Sequence, residues 1–412
     1  MWGSLRTWGW LGLLLPVLLA CWLLDGLSLQ LLTFHGTDET LYHLPAIRHM
    51  AAEWPHPNLS DYSSATTPLF HLAYAAFERV WGEHLPWMRA LNVLTSLVAS
   101  VLFARLLQVY ADMDATLATG FGVAFGLSPY FFGASFILLT DNLGWMLALA
   151  ALLAARHGAS DLRRWLLACA CLTLALLTRQ THVWLLPCFL WLVWRTPDAL
   201  VSGKVWASAL VGATVLPLLA LFHLWGGVVP PGFQYQHEAA HWLNLRAMQF
   251  MLCTTGFYWL MLVAPVRGLQ GLHKFEVAAA AAVGLLWMAW HPLAPGYGTD
   301  GFLWQAARSG RAWPTGIWLF WVLMPLGAVA VWQMVRADPW RLGVVGWLAY
   351  ALVMSRSELL YQKYFDPMVP MLLLCGTTWA GLPTWRAVLG LGTWAVLGVV
   401  YTIEVLIRGV VR

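Results

Sequence analysis

The chain has 412 residues, of which 60% are hydrophobic and only 10% are charged, and its formal net charge is +4. Because a soluble globular domain has about 25% charged residues, this composition excludes an ordinary soluble enzyme. The 28 Trp and 12 Tyr residues are typical of a protein with many membrane-spanning helices, since amphipathic rings collect at the two membrane interfaces.

Apolar runs separated by polar segments predict the spanning helices. At about 20 residues per span the chain holds about 13 runs, with a range of roughly 11–14. They begin near Trp8, Trp87, Thr116, Ser135, Trp165, His182, Val205, Ala247, Val277, Gly316, Leu342, Phe365 and Arg386. The first run stays apolar beyond Cys21, so we expect a retained span rather than a removed signal peptide. The predicted fold is an all-α transmembrane bundle, with residues 1–412 as a single integral membrane domain.

The loops between the runs predict the orientation. If the N-terminus is cytoplasmic, short basic loops such as the one with Arg163 face the cytoplasm, which agrees with the preference of Lys and Arg for that side. The longer loops, residues 35–86, 226–246, 291–314 and 355–364, then all lie outside. We therefore expect the chemistry at the outer face. The first external loop, residues 35–86, is predicted to be helical and to carry the catalytic acids.

Two adjacent acids, Asp38 and Glu39, follow the first apolar run directly. At that depth a carboxylate can take a proton from an attacking hydroxyl, and partial desolvation raises its basicity. The alternative is that both acids only stabilise the start of a helix through its dipole. Spacing by itself leaves both interpretations open.

The residues after the acids carry a resemblance to a known family. "HLPAIRHM", "SSATTPLFHL" and "WMRALNVL" follow in that order. This order resembles the polyprenyl-phosphate-sugar-dependent glycosyltransferases of the GT-C superfamily. It is most similar to the family that adds the terminal alpha-1,2-linked glucose to the dolichol-linked oligosaccharide. The matching positions are Asp38, Glu39, His43, Pro45, Thr66, Thr67, Pro68 and Arg89.

Three later segments extend the resemblance. Thr140 and Asp141 precede an apolar run and are similar to a Thr-Asp of the family. "RQTH", which begins at Arg179, resembles the family's Arg-Gln-Thr-Asn, with His182 in the Asn position. "KY" at Lys363 resembles an Arg-Tyr before the last helices. The resemblance covers residues 34–194 and is weak beyond them.

The resemblance implies a GT-C fold and an inverting glycosyltransferase. Such an enzyme moves a hexose from a polyprenyl-phosphate sugar to a hydroxyl of a lipid-linked glycan or another extracytoplasmic acceptor. The implied catalytic residues are Asp38, Glu39 and Asp141. The residues expected to contact the rest of the substrates are His43, Thr66, Thr67, Arg89, Gln180 and Tyr364. This chain has one residue more than the family pattern between the acids and His43, so the base is either Asp38 or Glu39.

Cations are expected near the donor phosphate, because they stabilise the negative charge that the departing phosphate gains. We expect this role for Arg179 and Lys363, and as further candidates for Arg308 and Arg311 in an external loop. Each of these roles has a simpler alternative. Arg179 and Lys363 could extend their head groups to the membrane interface, and Asp141 could cap a helix.

The six histidines of the first external loop show no close pair of metal ligands, so we expect no cofactor; a divalent ion is the alternative. The sequence has no basic nucleic-acid-binding patch. The expected partners are the lipid-linked donor, the glycan acceptor and membrane lipids. The alternative function is a transporter or a lipid or glycolipid flippase. Abundant Ala, Leu and Arg with few Lys favour a bacterial inner membrane; in a eukaryote the location would be the endoplasmic reticulum membrane.

Overall fold

The computed structural model describes residues 37–60, 62–196, 200–237, 243–294, 296, 298–309, 318–337, 342–377, 379 and 384–411. Two of the predictions lie outside these residues. They are the first span, which begins near Trp8, and the phosphate-binding role of Arg311.

The described chain is almost entirely helical, which confirms the predicted all-α class. The α-helices are α1 (Leu44–Ala52), α2 (Leu69–Trp81), α3 (Leu85–Tyr110), α4 (Ala115–Gly126), α5 (Pro129–Ser135), α6 (Asp141–Ala154), α7 (Leu162–Thr178), α8 (Leu185–Arg195), α9 (Val201–Thr214), α10 (Leu216–Trp225), α11 (Gln234–His237), α12 (Leu245–Tyr258), α13 (Ala264–Arg267), α14 (Lys274–Trp290), α15 (Phe302–Ser309), α16 (Trp318–Ala337), α17 (Leu342–Met354), α18 (Met368–Cys375) and α19 (Thr384–Val411).

Shorter elements join these helices. The 3₁₀-helical segments are Ala155–Ser160, Gln180–Trp184, Pro231–Phe233 and Gln362–Tyr364, and the π-helical turns are Glu39–His43 and Trp259–Val263. The strands β1 (Thr299–Asp300) and β2 (Leu360–Tyr361) pair in parallel, with Thr299 opposite Leu360.

Four described helical stretches are long and apolar enough to cross a membrane, which indicates a membrane protein. They are α3, Val201–Trp225, Leu245–Arg267 and α16. Helices α4 and α5, which are bent by 67°, make a fifth if they form one span. Other apolar helices are short: the 14 residues of α6 reach about 21 Å, which is less than a hydrocarbon core of about 30 Å. The count of about 13 spans stays a prediction.

The described segment before α3 contains the turn Glu39–His43 and the helices α1 and α2, which agrees with the helical content predicted for the first external loop. The turn Glu39–His43 runs directly into α1, and α2 packs against α1. Ile47 and Phe70 are buried between the two helices in an apolar cluster that also contains Trp225 of α10. This packing fixes the turn Glu39–His43 against the rest of the bundle.

Helices α12 and α16 approach each other closely through glycine. Gly256 faces the backbone of Leu323, and Gly327 faces the backbone of Leu252. A Cβ atom at either glycine would overlap backbone atoms of the opposite helix. Small residues are what allow membrane helices to come this close. The pair lies within the large apolar cluster that supports the site described next.

Candidate active site

A cavity of about 600 Å³ lies where several elements begin or end. Asp141 is the first residue of α6, Arg179 follows α7, and Lys363 follows β2. The polar lining consists of Asp38, Tyr42, His43, Ser64, Thr66, Thr140, Asp141, Arg179, Gln180, Thr181, Arg356, Ser357, Tyr361, Lys363 and Tyr364. The volume is within the range of about 300–1,000 Å³ that small-molecule sites occupy.

Two ion pairs face this cavity. Lys363 Nζ lies 2.9 Å from Asp38 Oδ2, and Arg179 Nη1 contacts Asp141 Oδ1. The carboxylate side chains are about one-fifth exposed, at 20% for Asp38 and 19% for Asp141. Charges removed from water are stable only when they are paired in this way. The pairs therefore explain how four charged groups can line a largely apolar cavity.

Tyr364 joins the two pairs. Arg179 Cζ lies 5.6 Å from the centroid of its ring, and Lys363 Nζ lies 5.7 Å from the same centroid. Both separations are within the range of cation–π attraction. Both cations therefore lie beside the same aromatic ring.

The segment that carries Lys363 is hydrogen-bonded to α15. The Trp304 indole donates a 2.9 Å hydrogen bond to the Leu360 carbonyl, and Gln362 Oε1 accepts from the Leu303 N–H at 2.9 Å. Arg308 Nη2 donates to Thr299 Oγ1 at 2.6 Å and also to the Thr299 carbonyl. Arg308 does not line the cavity, because its guanidinium bonds the strand that pairs with β2.

The segment around Arg179 is tied to the first external loop. Gln180 Nε2 donates to the Ala65 carbonyl at 2.7 Å, and Thr67 Oγ1 donates to the Leu176 carbonyl at 2.8 Å. Thr67 is completely buried by this contact, whereas Thr66 and Gln180 line the cavity. Of the two threonines in the sequence motif, Thr66 therefore lines the cavity and Thr67 makes a structural hydrogen bond.

Glu39 and Arg89 lie behind the cavity and not in its lining. Glu39 is fully buried, and Arg89 donates to both of its carboxylate oxygens, with Nε at 3.2 Å from Oε2. The Leu138 backbone N–H donates to the same Oε2 at 2.6 Å. Leu138 precedes Asp141 by three residues. The Glu39 carboxylate therefore connects the turn that carries Asp38 to the segment that leads into α6.

A hydrogen-bonded chain of buried side chains leads away from His43. His43 Nδ1 lies 2.8 Å from His71 Nε2, and the Tyr62 hydroxyl contacts His71 Nδ1. Burial lowers the pKa of His43 to about 4 and lowers that of His71 well below its usual value. Both imidazoles are therefore neutral at pH 7.

The predicted site residues fall into three groups. Those that line the cavity are Asp38, His43, Thr66, Asp141, Arg179, Gln180, Lys363 and Tyr364; those that are described and do not line it are Glu39, Thr67, Arg89 and Arg308; and Arg311 lies outside the described residues. Within the described part of the chain no group of three or more His, Cys, Asp or Glu residues is arranged to hold a metal ion.

Several lining residues were missed by the sequence analysis. Arg356, Tyr361 and Ser64 line the cavity. Arg356 and Tyr361 belong to none of the quoted motifs, and Ser64 lies in "SSATTPLFHL" without being one of the matching positions. Arg356 and Tyr361 lie in the predicted external loop 355–364 with Lys363, so their position in that loop was the available signal. Ser64 stands two residues before Thr66 and shares a 3.2 Å hydrogen bond with it.

The opposite wall of the cavity is apolar. Its residues are Val215, Leu218, Leu219, Phe222, Val228, Val229 and Phe233. Most come from the stretch Val201–Trp225, which is the least buried of the four candidate spans at 28%. Leu219 lines the cavity and is also 48% exposed. The cavity therefore borders on the surface that this span presents outside the bundle.

Comparisons with protein-family models, curated proteins and solved structures gave no match to this chain.

Proposed function

We propose that the protein is an inverting GT-C-type glycosyltransferase that moves a hexose from a polyprenyl-phosphate donor to a hydroxyl of an extracytoplasmic acceptor. The observation that carries this proposal is the cavity that combines Asp38 and Asp141, the cations Lys363 and Arg179, and an apolar wall. These are the groups that a lipid phosphate, a leaving group and an attacking hydroxyl require.

The donor is proposed to bind with its phosphate at Lys363 and Arg179, the two cations beside the Tyr364 ring. Its prenyl chain would lie along the apolar wall near Leu219, where the cavity meets the exposed face of a span. Both cations can hydrogen-bond phosphate oxygens, and Arg can do so with two parallel N–H groups. Arg356 also lines the cavity and adds positive charge at its edge.

The transfer is a single displacement. The acceptor oxygen forms a bond to the anomeric carbon while the bond from that carbon to the phosphate oxygen breaks, and its electron pair stays on the phosphate. The proton of the acceptor hydroxyl passes to a carboxylate. Inversion needs one base on the face opposite the leaving group. The cations meanwhile stabilise the charge that the phosphate gains.

Asp38 is the proposed base. Glu39, the other member of the pair, is fully buried and bonded to Arg89 and to the Leu138 N–H. Lys363 is a flexible point charge with three donors, so an arriving phosphate can draw its ammonium away from Asp38. The donor would in this way free the carboxylate for the acceptor hydroxyl. Asp141 keeps the delocalised guanidinium of Arg179 as its partner.

The location belongs to the same proposal. A membrane-bound donor can present its sugar only at the membrane interface, and the predicted orientation puts the cavity at the outer face of a bacterial inner membrane. In a eukaryotic cell the equivalent place would be the lumenal face of the endoplasmic reticulum.

The experiment is a transfer assay with the purified, reconstituted protein. Short-chain polyprenyl-phosphate glucose and mannose would be offered with candidate lipid-linked glycans, and the product's anomeric configuration would be determined. The proposal expects a glycoside of inverted configuration and release of polyprenyl phosphate. If intact donor moves across a vesicle membrane and no acceptor gains a glycosidic bond, the protein is a flippase and not a glycosyltransferase.

A further inference from the structure

We propose that Tyr62 and His71 are positioning residues that hold His43 as a neutral N–H donor directed at a phosphate oxygen of the bound substrate. This inference rests on the proposed function, because it assigns a partner in the same cavity. His71 lies in the segment "SSATTPLFHL" and Tyr62 lies just before it, but the resemblance assigns no role to either residue.

The geometry of the two imidazoles defines the first hydrogen bond. Their ring planes differ by 17°, and their centroids lie 5.1 Å apart. That separation is close to the sum of three distances: the 2.8 Å between His43 Nδ1 and His71 Nε2, and the distance from each of these nitrogens to the centroid of its own ring. The two nitrogens therefore lie almost on the line that joins the ring centres. The rings meet edge to edge in a nearly linear N–H···N bond, which is the favourable arrangement.

The direction of this bond follows from Tyr62. A neutral imidazole has one N–H donor and one acceptor nitrogen. If His71 accepts a hydrogen bond from Tyr62, it must therefore donate one to His43, and if it accepts from His43 it must donate to Tyr62. The phenol is the more acidic partner and the imidazole the more basic one, so Tyr62 O–H donates to His71 Nδ1. His71 then carries its proton on Nε2 and donates it to His43 Nδ1.

These hydrogen bonds determine the protonation of the other His43 nitrogen, Nε2. With Nδ1 accepting from His71, the proton of His43 is on Nε2, and His43 lines the cavity with 7% of its surface exposed. The Thr66 and Ser64 hydroxyls, which share a 3.2 Å hydrogen bond, act on the Tyr62 phenol at the far end of the chain. The phenol can accept from them while its own proton goes to His71.

A phosphate oxygen is the partner that the surroundings favour. The charged groups that act on His43 are Asp38, Asp141, Lys363 and Arg179, and all four line the same cavity as its ring. The two cations are already matched by the two carboxylates. A neutral N–H adds a donor for an anionic oxygen without adding to the positive charge of Lys363, Arg179 and Arg356, which line the same cavity.

The tautomer can be measured without any substrate. The test uses the full-length protein in lipid bilayers with ¹⁵N-labelled histidine at pH 7, and the His43 signals are assigned by their loss in His43→Gln. We expect His43 to be neutral, with a protonated Nε2 and an unprotonated Nδ1. In Tyr62→Phe, His71 loses its donor, so the Nδ1-protonated form of His43 should become populated.

Tyr74→Phe is the matched control. Tyr74 is a buried tyrosine that packs on Phe70 in the same apolar cluster, and its loss of a hydroxyl should leave the His43 tautomer unchanged. A His43 ring that is protonated on Nδ1 in the unmodified protein, or a tautomer that does not respond to Tyr62→Phe, would overturn the inference.

The partner is tested with farnesyl phosphate, which has the lipid and the phosphate but no sugar. Binding should weaken by about 10- to 150-fold in His43→Leu, the size of one lost hydrogen bond to a charged group. His43→Gln, whose amide can donate from near the Nε2 position, should bind more tightly than His43→Leu. If farnesyl phosphate binds His43→Leu as well as the unmodified protein, the phosphate contact is wrong.

These measurements separate the inference from the proposed function. The tautomer and the binding of farnesyl phosphate do not depend on sugar transfer, so both can succeed in a protein that transfers nothing. In a protein that transfers sugar, Tyr62→Phe should lower kcat/KM for the lipid donor by about 5- to 20-fold. The same substitution in a His43→Leu background should have no further effect, because the group that Tyr62 orients is then absent.

Discussion

The two adjacent acids differ in their surroundings although they are neighbours in sequence. Asp38 faces the cavity beside Lys363, whereas Glu39 is fully buried and bonded to Arg89. Successive residues of a helical turn point in directions about 100° apart. One acid can therefore face the cavity while the next faces the packed interior, and only the former has room for a substrate.

We therefore expect different effects from the two single substitutions that replace each acid by its amide. Asp38→Asn should lower stability less than Glu39→Gln, since Lys363 and Asp38 keep 13% and 20% of their side chains exposed. It should lower kcat by about 100-fold or more, which is the usual size of a lost general base. Its KM for the donor should change little. Glu39→Gln should instead lower stability, since it leaves the Arg89 charge buried without a full countercharge. The check is kcat and KM beside the thermal midpoint of each variant in detergent. A stable, inactive Glu39→Gln with an active Asp38→Asn would place the base at Glu39.

The cavity cations make a second prediction at this scale. Arg179→Ala or Lys363→Ala should raise the transition-state barrier for the lipid donor by about 2 to 4 kcal/mol, as expected for one preorganised charged donor. The effect should appear in kcat/KM for the donor and much less in KM for the acceptor. Arg164→Ala is the control, because Arg164 is an exposed arginine whose pair with Asp161 lies outside the cavity. Equal losses in all three variants would contradict a specific role.

At the scale of elements, the buried Glu39 carboxylate joins three parts of the chain. Arg89 belongs to α3, Glu39 to the turn before α1, and Leu138 to the segment before α6. Removing one member of a buried ion pair costs about 3–5 kcal/mol, largely because the other charge loses its partner. Removing both charges avoids that part of the cost.

We therefore expect the two neutralised variants to be non-additive. Glu39→Gln and Arg89→Gln should each destabilise the protein strongly, and the double variant should be more stable than the sum of the two losses predicts. Interaction free energies of about 0.5–3 kcal/mol are usual for residues in contact. The measurement is a double-mutant cycle from equilibrium unfolding in mixed micelles. Additive losses would mean that the two side chains do not stabilise each other.

Sequence patterns predicted the helices better than the contacts between them. Hydropathy marked the start of α3 near Trp87 and of α12 near Ala247, because burial in lipid leaves a strong local signal. Arg308 bonds Thr299 and does not line the cavity. The strand pair of Thr299 with Leu360 joins positions about sixty residues apart and has no local sequence signature, so the sequence could not predict this contact. Likewise, six histidines were visible in the first external loop, but the sequence did not indicate that His43 and His71 meet.

Across the whole molecule, the cavity lies between a charged wall and an apolar wall. The charged wall is built from segments next to Asp38, Asp141, Arg179 and Lys363, and the apolar wall from the sparsely buried stretch Val201–Trp225. A soluble sugar donor would use only the first wall. A lipid-linked donor would use both, and each buried methylene of its chain adds about 0.8 kcal/mol.

The lipid chain is therefore expected to contribute to the specificity of the reaction. With sugar donors of increasing prenyl length, kcat/KM should rise until the chain covers the apolar wall. Leu219→Ala should lower kcat/KM for the longer donors by about 3- to 10-fold and for the shortest donor much less, because the removed methyl groups are worth about 0.8 kcal/mol each where they contact the chain. Leu224→Ala is the matched control, since Leu224 lies on the same helix, is 50% exposed and does not line the cavity.

A nucleotide sugar, which has no lipid, should not be used. Efficient turnover of a nucleotide sugar with no lipid carrier present would contradict both the donor class and the role given to the apolar wall.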